Sequence, residues 1–365
     1  MLFHDRATAL GSIAGVIAIV FLVGQQLAIF FGLLNYMSFL VDNTQADIWI
    51  TTKYVDNFSA AGTIPVSYRD RVAGIEGIEW AEPIIIGSGL LKLGSGKFQA
   101  FQLLGTKAPH LAGGPTRFYR GSAEALLDSE GITVDRLDLD ALSHPSIGDI
   151  FEINNYRVRL RAITQGMRGF SGSVVFVNIE KARELMNMAP DRCSSIVVKV
   201  RDGSTIRQMV ALLQEVLPRA QVIAQNDLST QTRLYYLKNT GIGGSFGFTT
   251  IVATLVGVVI IALTMYTNVL NKTRDYAVLR ALGARKRDIL MIVVMQALYI
   301  AVIGILIGFT LLSLFLLGTK DSSLPSYMPW WVPIFHCLGT IMLCLLGSLI
   351  AMREAVSIEP ATAFR

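Results

Sequence analysis

Charge is what this chain has least of. Asp, Glu, Lys and Arg make up 16% of its 365 residues and hydrophobic residues 52%. An ordinary globular chain is about one quarter charged. That deficit argues against a typical soluble protein. Cysteine is rarer still: of three, only Cys193 lies outside the apolar runs, so no disulfide framework is available. Cys337 and Cys344 fall in one predicted helix, too far apart along it to bond each other. The four histidines (His4, His110, His144, His336) show no ligand spacing, which argues against a metal centre.

The formal charge of +5 hints at nucleic acid only until it is divided by region. Residues 42–240 carry 22 basic and 21 acidic groups, whereas residues 271–288 carry six basic groups against Asp275 and Asp288. Most of the excess is therefore one cluster between apolar runs, which orients a membrane protein rather than binding DNA. No nucleic-acid partner is expected.

Catalytic motifs are missing too. Gly94-Ser-Gly-Lys97 resembles part of a phosphate loop, but Leu91 and Phe98 stand where Gly and Ser or Thr are needed. Gly241-Ile-Gly243 has Phe246 where a dinucleotide fingerprint needs Gly. There is no Gly-x-Ser-x-Gly elbow and no His-Glu-x-x-His helix. Asp135, Asp138 and Asp140 read as a solvated acidic loop. The expectation is a non-catalytic chain that binds no cofactor or metal.

Long apolar runs are what is present. After a short N-terminus at 1–6, residues 7–41 contain no charge. A secretory signal has an apolar region of only about 7–15 residues, so this run reads as a retained anchor. As one helix it reaches about 50 Å, beyond the roughly 30 Å hydrocarbon core, with the surplus starting a stalk. Gln25 and Gln26 lie inside it; such amides face another helix or sit among headgroups in a shifted register, and helix–helix contact is favoured. Three more spans follow at 246–270, 289–317 and 332–352, with a short outer loop at 318–331 and a tail at 353–365. None of the four contains Asp, Glu, Lys or Arg, which argues against an ion-coupled transporter. Trp330 and Trp331 suit an interfacial aromatic belt.

Residues 42–240 read as a water-soluble α+β domain between the first two spans. Two strand–helix–strand segments stand out. One uses 46–51, 66–75 and 83–91; the other uses 195–200, 205–217 and 221–224. Strand-like runs at 151–160 and 174–177 lie between them, and 107–148 reads as an irregular insertion. Residues 228–238 form a helical second stalk, and the glycines of 241–247 serve as a hinge or a simple loop. The fold class is thus a membrane protein with four transmembrane α-helices and a large α+β extracytoplasmic domain between helices 1 and 2. The basic cluster places 271–288 and both termini in the cytoplasm.

Within 271–288, residues 274–282 have helical spacing. Thr273 is a candidate N-cap, Asp275 faces the positive helix end, and Gly283 fits a left-handed terminus. Tyr276, Val278, Leu279 and Leu282 are too apolar for a solvated linker. Either the bilayer surface or a partner protein is expected to cover them, with Arg285–Arg287 suited to lipid headgroups.

The stretch Thr273-Arg-Asp-Tyr-Ala-Val-Leu-Arg-Ala-Leu-Gly-Ala284 resembles the cytoplasmic segment of the FtsX/MacB-like permease family, the membrane subunits of mechanotransmitting ABC transporters. The closing Arg353-Glu-Ala-Val-Ser-Ile-Glu-Pro-Ala-Thr-Ala-Phe-Arg365 is similar to that family's closing Pro-x-x-Ala-Leu-Arg. Asp275 and Phe364 depart from the usual Glu and Leu. Tyr276-Ala277 and the stalk before span two look most like the permease of heterocyst glycolipid-type exporters. The resemblance implies a bacterial inner-membrane permease dimer whose coupling helix docks on a separate ABC ATPase subunit. The coupling residues would be Arg274, Asp275, Tyr276, Val278, Leu279, Arg280, Leu282 and Gly283. ATP and magnesium would bind the ATPase, and a periplasmic adaptor and outer-membrane channel would complete an exporter of lipid, peptide or a small hydrophobic compound. The same motifs also suit a regulatory permease acting on a cell-wall hydrolase or a sensor kinase.

Overall fold

The computed structural model describes residues 6–58, 62–92, 98–170, 172–320, 322 and 324–357. The chain divides into two units, one of 1–33 with 242–365 and the other of 34–241.

The first helix, α1 (Arg6–Met37), stops at Ser38, where a short turn of helix, α2 (Phe39–Asp42), begins. The Ser38 hydroxyl donates to the Asp42 carboxylate at 2.6 Å and so holds this turn closed. The stalk expected to continue from span one is therefore broken at its root.

The inserted domain opens with β1 (Ile48–Thr52), β2 (Ile64–Pro65), α3 (Ser67–Ala73) and β3 (Ile78–Lys92). It closes with β12 (Ser195–Val200), α5 (Ile206–Val216) and β13 (Ala220–Ala224), after the two-residue β11 (Arg192–Cys193). These pair in the order β13-β1-β12-β3, all antiparallel, which makes a split β-α-β sandwich from the two strand–helix–strand segments. The 15-residue β3 extends past this sheet and carries a second group of strands. That group comprises β4 (Phe98–Thr106), β5 (Phe118–Arg120), β6 (Gly131–Asp135), β7 (Ile150–Ile153), β8 (Tyr156–Thr164), β9 (Arg168–Gly169) and β10 (Gly172–Asn178). Between β7 and β8, Asn154 and Asn155 both take positive φ (49° and 69°), as a tight two-residue hairpin requires.

The central strands are apolar on both faces, and alternation divides them between two cores. Ile48, Ile50, Ile85, Val175, Val177, Ile196 and Val198 point into one, under α3, α5 and α4 (Ile179–Leu185). Trp49, Ile84, Val174, Phe176 and Val197 point into the other, which Leu40 and Val41 of α2 and Leu228 of α6 (Gln225–Asn239) help to cover.

Residues 107–148 are not simply irregular. Their Gly131–Asp135 run is β6, parallel to β8 and antiparallel to β10, with Ile132 and Val134 buried. Five residues flanked by polar turns give too short a period to stand out. The acidic loop also differs from expectation. Asp135 is fully buried, accepting the Met167 and Leu137 backbone N–H groups at 2.8 and 3.1 Å. Asp138 is 4% exposed and pairs with Arg168 at 3.1 Å. Burial is the main cause that pushes the Asp138 carboxyl up to about 6; Arg168 opposes it and Asp135 adds to it.

The other unit holds α7 (Ile242–Asn271), α8 (Thr273–Ala281), α9 (Lys286–Thr319) and α10 (Trp331–Ser357), packed with α1. Among the described residues, four helices are long and apolar enough to cross a membrane: Leu10–Met37, Ile242–Thr264, Lys286–Thr319 and Trp331–Ser348. Close approach at glycine brings α1 against α9. A Cβ on Gly304 would lie 2.5 Å from Val16, and one on Gly308 would lie 2.7 Å from Val20. Lipid gives little drive for apolar helices to associate, so such small-residue contacts carry the packing.

Candidate coupling site

Helix α8 starts one residue earlier than its sequence suggests, because Lys272 rather than Thr273 takes the N-cap position. Its C-terminus follows from Gly283, whose φ is +99°. The Gly283 N–H donates to the Arg280 carbonyl at 3.1 Å and the Ala284 N–H to the Leu279 carbonyl at 3.0 Å. These are the two bonds of a Schellman cap. The chain then turns directly into α9, where the Asp288 carboxylate accepts the Arg285 N–H at 2.8 Å. That bond is half of a capping box, and Asp288 earns its place in the motif by ending the loop after four residues.

The apolar residues of α8 split between two faces. Tyr276 is 1% exposed and belongs to the buried cluster of Val16, Val20, Ile261, Ile289 and Val293, with Leu279 packed at its edge. Ala277 is buried as well. This corrects the expectation for Tyr276: neither lipid nor a partner is needed to cover it, because the chain's own spans do. Its hydroxyl donates to Gln296 Oε1 at 3.4 Å, and burial above all pushes its pKa up to about 12. The phenol therefore stays neutral and acts as an anchor.

Val278 and Leu282, one helical turn apart, face outward at 46% and 79% exposure. Asp275, Ala281 and Gly283 are also exposed, as are Arg285, Lys286 and Arg287 beyond the cap. Arg280 is half-buried. The side chain of Arg274 lies outside the described residues, as do the phosphate-loop-like 94–97 and the closing motif from residue 358 onward. The site thus combines a fixed inner face, Tyr276 with Leu279, and an outward apolar pair beside a basic loop.

Gln25 and Gln26 are both half-buried, and neither makes a side-chain hydrogen bond among the described residues. A polar tie between spans comes instead from His336 on α10, whose Nε2 donates to the Val20 carbonyl of α1 at 3.0 Å. Four scattered histidines gave no sign of this. Its position within an uncharged span is the one clue the sequence offered.

The domain root supplies a second set of contacts that sequence reasoning missed. Arg233 of α6 donates to Ser38 Oγ at 2.8 Å and to Asp42 at 2.7 Å. Gln225 donates to the carbonyls of Val41 and Thr44 at 2.7 and 3.0 Å. The two segments through which the domain joins the first and second spans are thereby clamped to each other.

Residues 7–216 match the model of the MacB-like periplasmic core domain, and residues 247–360 match that of the FtsX-like permease C-terminal domain. An uncharacterized ABC transporter permease from Methanocaldococcus jannaschii is 26% identical over 174 residues, 45% of this chain and 42% of that protein. The chain therefore matches less than half the length of that relative. Among solved structures, the periplasmic region of MacB from Actinobacillus actinomycetemcomitans aligns over 52% of this chain and 94% of its own, at 13% identity and a TM-score of 0.38. The extracellular domain of the noncanonic ABC-type transporter YknZ from Gram-positive bacteria aligns over 49% and 100%, at 11% identity and a TM-score of 0.38.

Proposed function

Since the chain belongs to the MacB/FtsX type of ABC transporter permease, multi-pass membrane proteins that work with an ATPase, we propose that α8 is the coupling helix on which that ATPase docks. The observation that carries this reading is the division of α8 into two faces. Val278 and Leu282 offer an exposed apolar contact, with Asp275 and the arginines able to make charge-assisted contacts at its rim. Tyr276 roots the same short helix among α1, α7 and α9. A displacement of the ATPase, driven by ATP and magnesium on that subunit, is passed to the spans by a rigid anchor. The clamp of Arg233 on Ser38 and Asp42 then makes the connections of spans one and two to the domain move together.

In this reading the permease works as a dimer in a bacterial inner membrane, with both termini in the cytoplasm. It drives export of a lipid, a peptide or a small hydrophobic compound through a periplasmic adaptor and an outer-membrane channel. The chain itself performs no catalysis. The test is co-purification of the ATPase with the full-length permease carrying Val278→Asp or Leu282→Asp. Loss of the ATPase, with the permease still folded in the membrane, supports docking. Full retention by both variants refutes it.

A further inference from the structure

A cavity of about 340 Å³ lies within the membrane unit, between α1, α7 and α10, and no residue of the coupling site borders it. Its longest wall is a stripe on α1: Ile19, Val23, Leu27 and Phe31, spaced four residues apart. Twelve residues of helix rise about 18 Å, close to half of the roughly 30 Å hydrocarbon core. Phe335 and Gly339 of α10 form part of the facing wall. The cavity is therefore a groove running along the helix axis, about as long as one leaflet is deep and open on its α10 side, where Phe335 is 67% exposed.

The polar groups of the lining are already occupied. His336 donates to the Val20 carbonyl, Thr340 to the His336 carbonyl at 2.9 Å, and Thr254 to the Thr250 carbonyl at 2.8 Å. A buried water needs two to four polar partners, and a polar solute needs unspent donors; the walls offer neither. The remaining side-chain donor is the Trp331 indole, at the first residue of α10, where its ring meets Phe31 at 5.2 Å. An aromatic ring with one N–H suits the boundary between hydrocarbon and headgroups.

We infer that this groove seats one acyl chain of a membrane phospholipid, with its ester region beside Trp331 and its methyl end toward Ile19. The occupant follows from the surroundings: the spans that build the groove are uncharged, and the solvent around them is hydrocarbon. A void left empty there would forfeit dispersion contacts along its whole wall. The site is independent of ATPase docking, since it shares no residue with α8.

Gly339 makes the inference testable. A Cβ at this position meets no heavy atom within 4 Å, so a large side chain can occupy the groove without displacing a neighbour. The experiment uses the full-length protein in nanodiscs that contain a phosphatidylethanolamine with a diazirine on its acyl chain. Labelled peptides are located by mass spectrometry. The expected result is labelling on the groove-floor residues Ile19, Val23, Leu27 and Phe31 several-fold above that on the outward-facing Leu255 and Val259, which are 60% and 63% exposed. Gly339→Phe should reduce groove labelling about tenfold and leave Leu255 and Val259 unchanged. Val23→Trp fills the same groove from α1 and should reproduce the loss if Gly339→Phe fails to insert. Groove labelling equal to that of the outer face, or unaffected by both fillings, overturns the inference. A benzophenone at position 27 that captures a second copy of the chain in place of lipid also overturns it.

Discussion

The inserted domain and the membrane unit solve opposite problems with buried polar groups. In the domain, backbone groups are consumed by a ladder of strands, and side chains alternate between two cores. Large residues such as Trp49 and Phe176 fill those cores. In the membrane unit each helix satisfies its own backbone, so cohesion comes from small residues that let helices touch and from a few polar ties. Volume loss should therefore damage the domain most, and volume gain the membrane unit.

The largest effect expected from this contrast is Phe176→Ala, which removes a fully buried ring and should cost the domain about 3–5 kcal/mol. Chemical unfolding of the purified protein checks it. A matched pair isolates the contrast: Val174→Ala in the domain and Val20→Ala beside Gly308 each shorten a fully buried valine. The membrane variant should cost well under half as much, and equal costs would erase the distinction. Gly308→Leu, in contrast, drives a side chain into Val20 and should cost about 1–3 kcal/mol, relieved by pairing it with Val20→Ala.

Asp138 gives the contrast a pH dependence. Its folded pKa of about 6 lies above the ordinary 3.8, so the folded domain holds a proton that the unfolded chain releases earlier. The stabilisation is complete below about pH 4 and is lost as pH rises through 6, with a ceiling of about 3 kcal/mol. Domain melting across pH 4–8 should fall more steeply in the wild type than in Asp138→Asn. Parallel curves would remove Asp138 as the cause.

Arg233→Ala should have the smallest effect on stability, under about 1 kcal/mol, because Arg233 and Asp42 are each about one third exposed. Under the proposed coupling, its effect on ATP-driven transport should be much larger, and Arg233→Lys should restore part of it. Equal loss of stability and transport would make the clamp merely structural.

How much of this was legible in the sequence follows the same division. Period-2 alternation announced the strand at 195–200, where Ile196 and Val198 face one core and Val197 the other. The uncharged runs announced four spans. Contacts between elements distant in sequence were not legible. Ile132 and Val134 join the sheet through β8 and β10, and Asp135 is buried because backbone N–H groups of 137 and 167 meet it. The spacing of Gly304 and Gly308 was a readable sign of close helix packing that the hydropathy pattern overshadowed. At the candidate site, Gly283 was legible because only a left-handed residue closes such a helix. The role of Tyr276 was not, since an apolar residue in a loop helix looks the same whether a partner or its own spans cover it.

The most direct test places a photo-activated crosslinking amino acid at position 282 and, separately, at position 276 of the full-length permease in native membranes. Position 282 should capture a separate ATPase subunit, and position 276 should capture only peptides of α1, α7 or α9. Capture of the ATPase from 276, or of lipid alone from 282, would contradict the two-faced coupling helix.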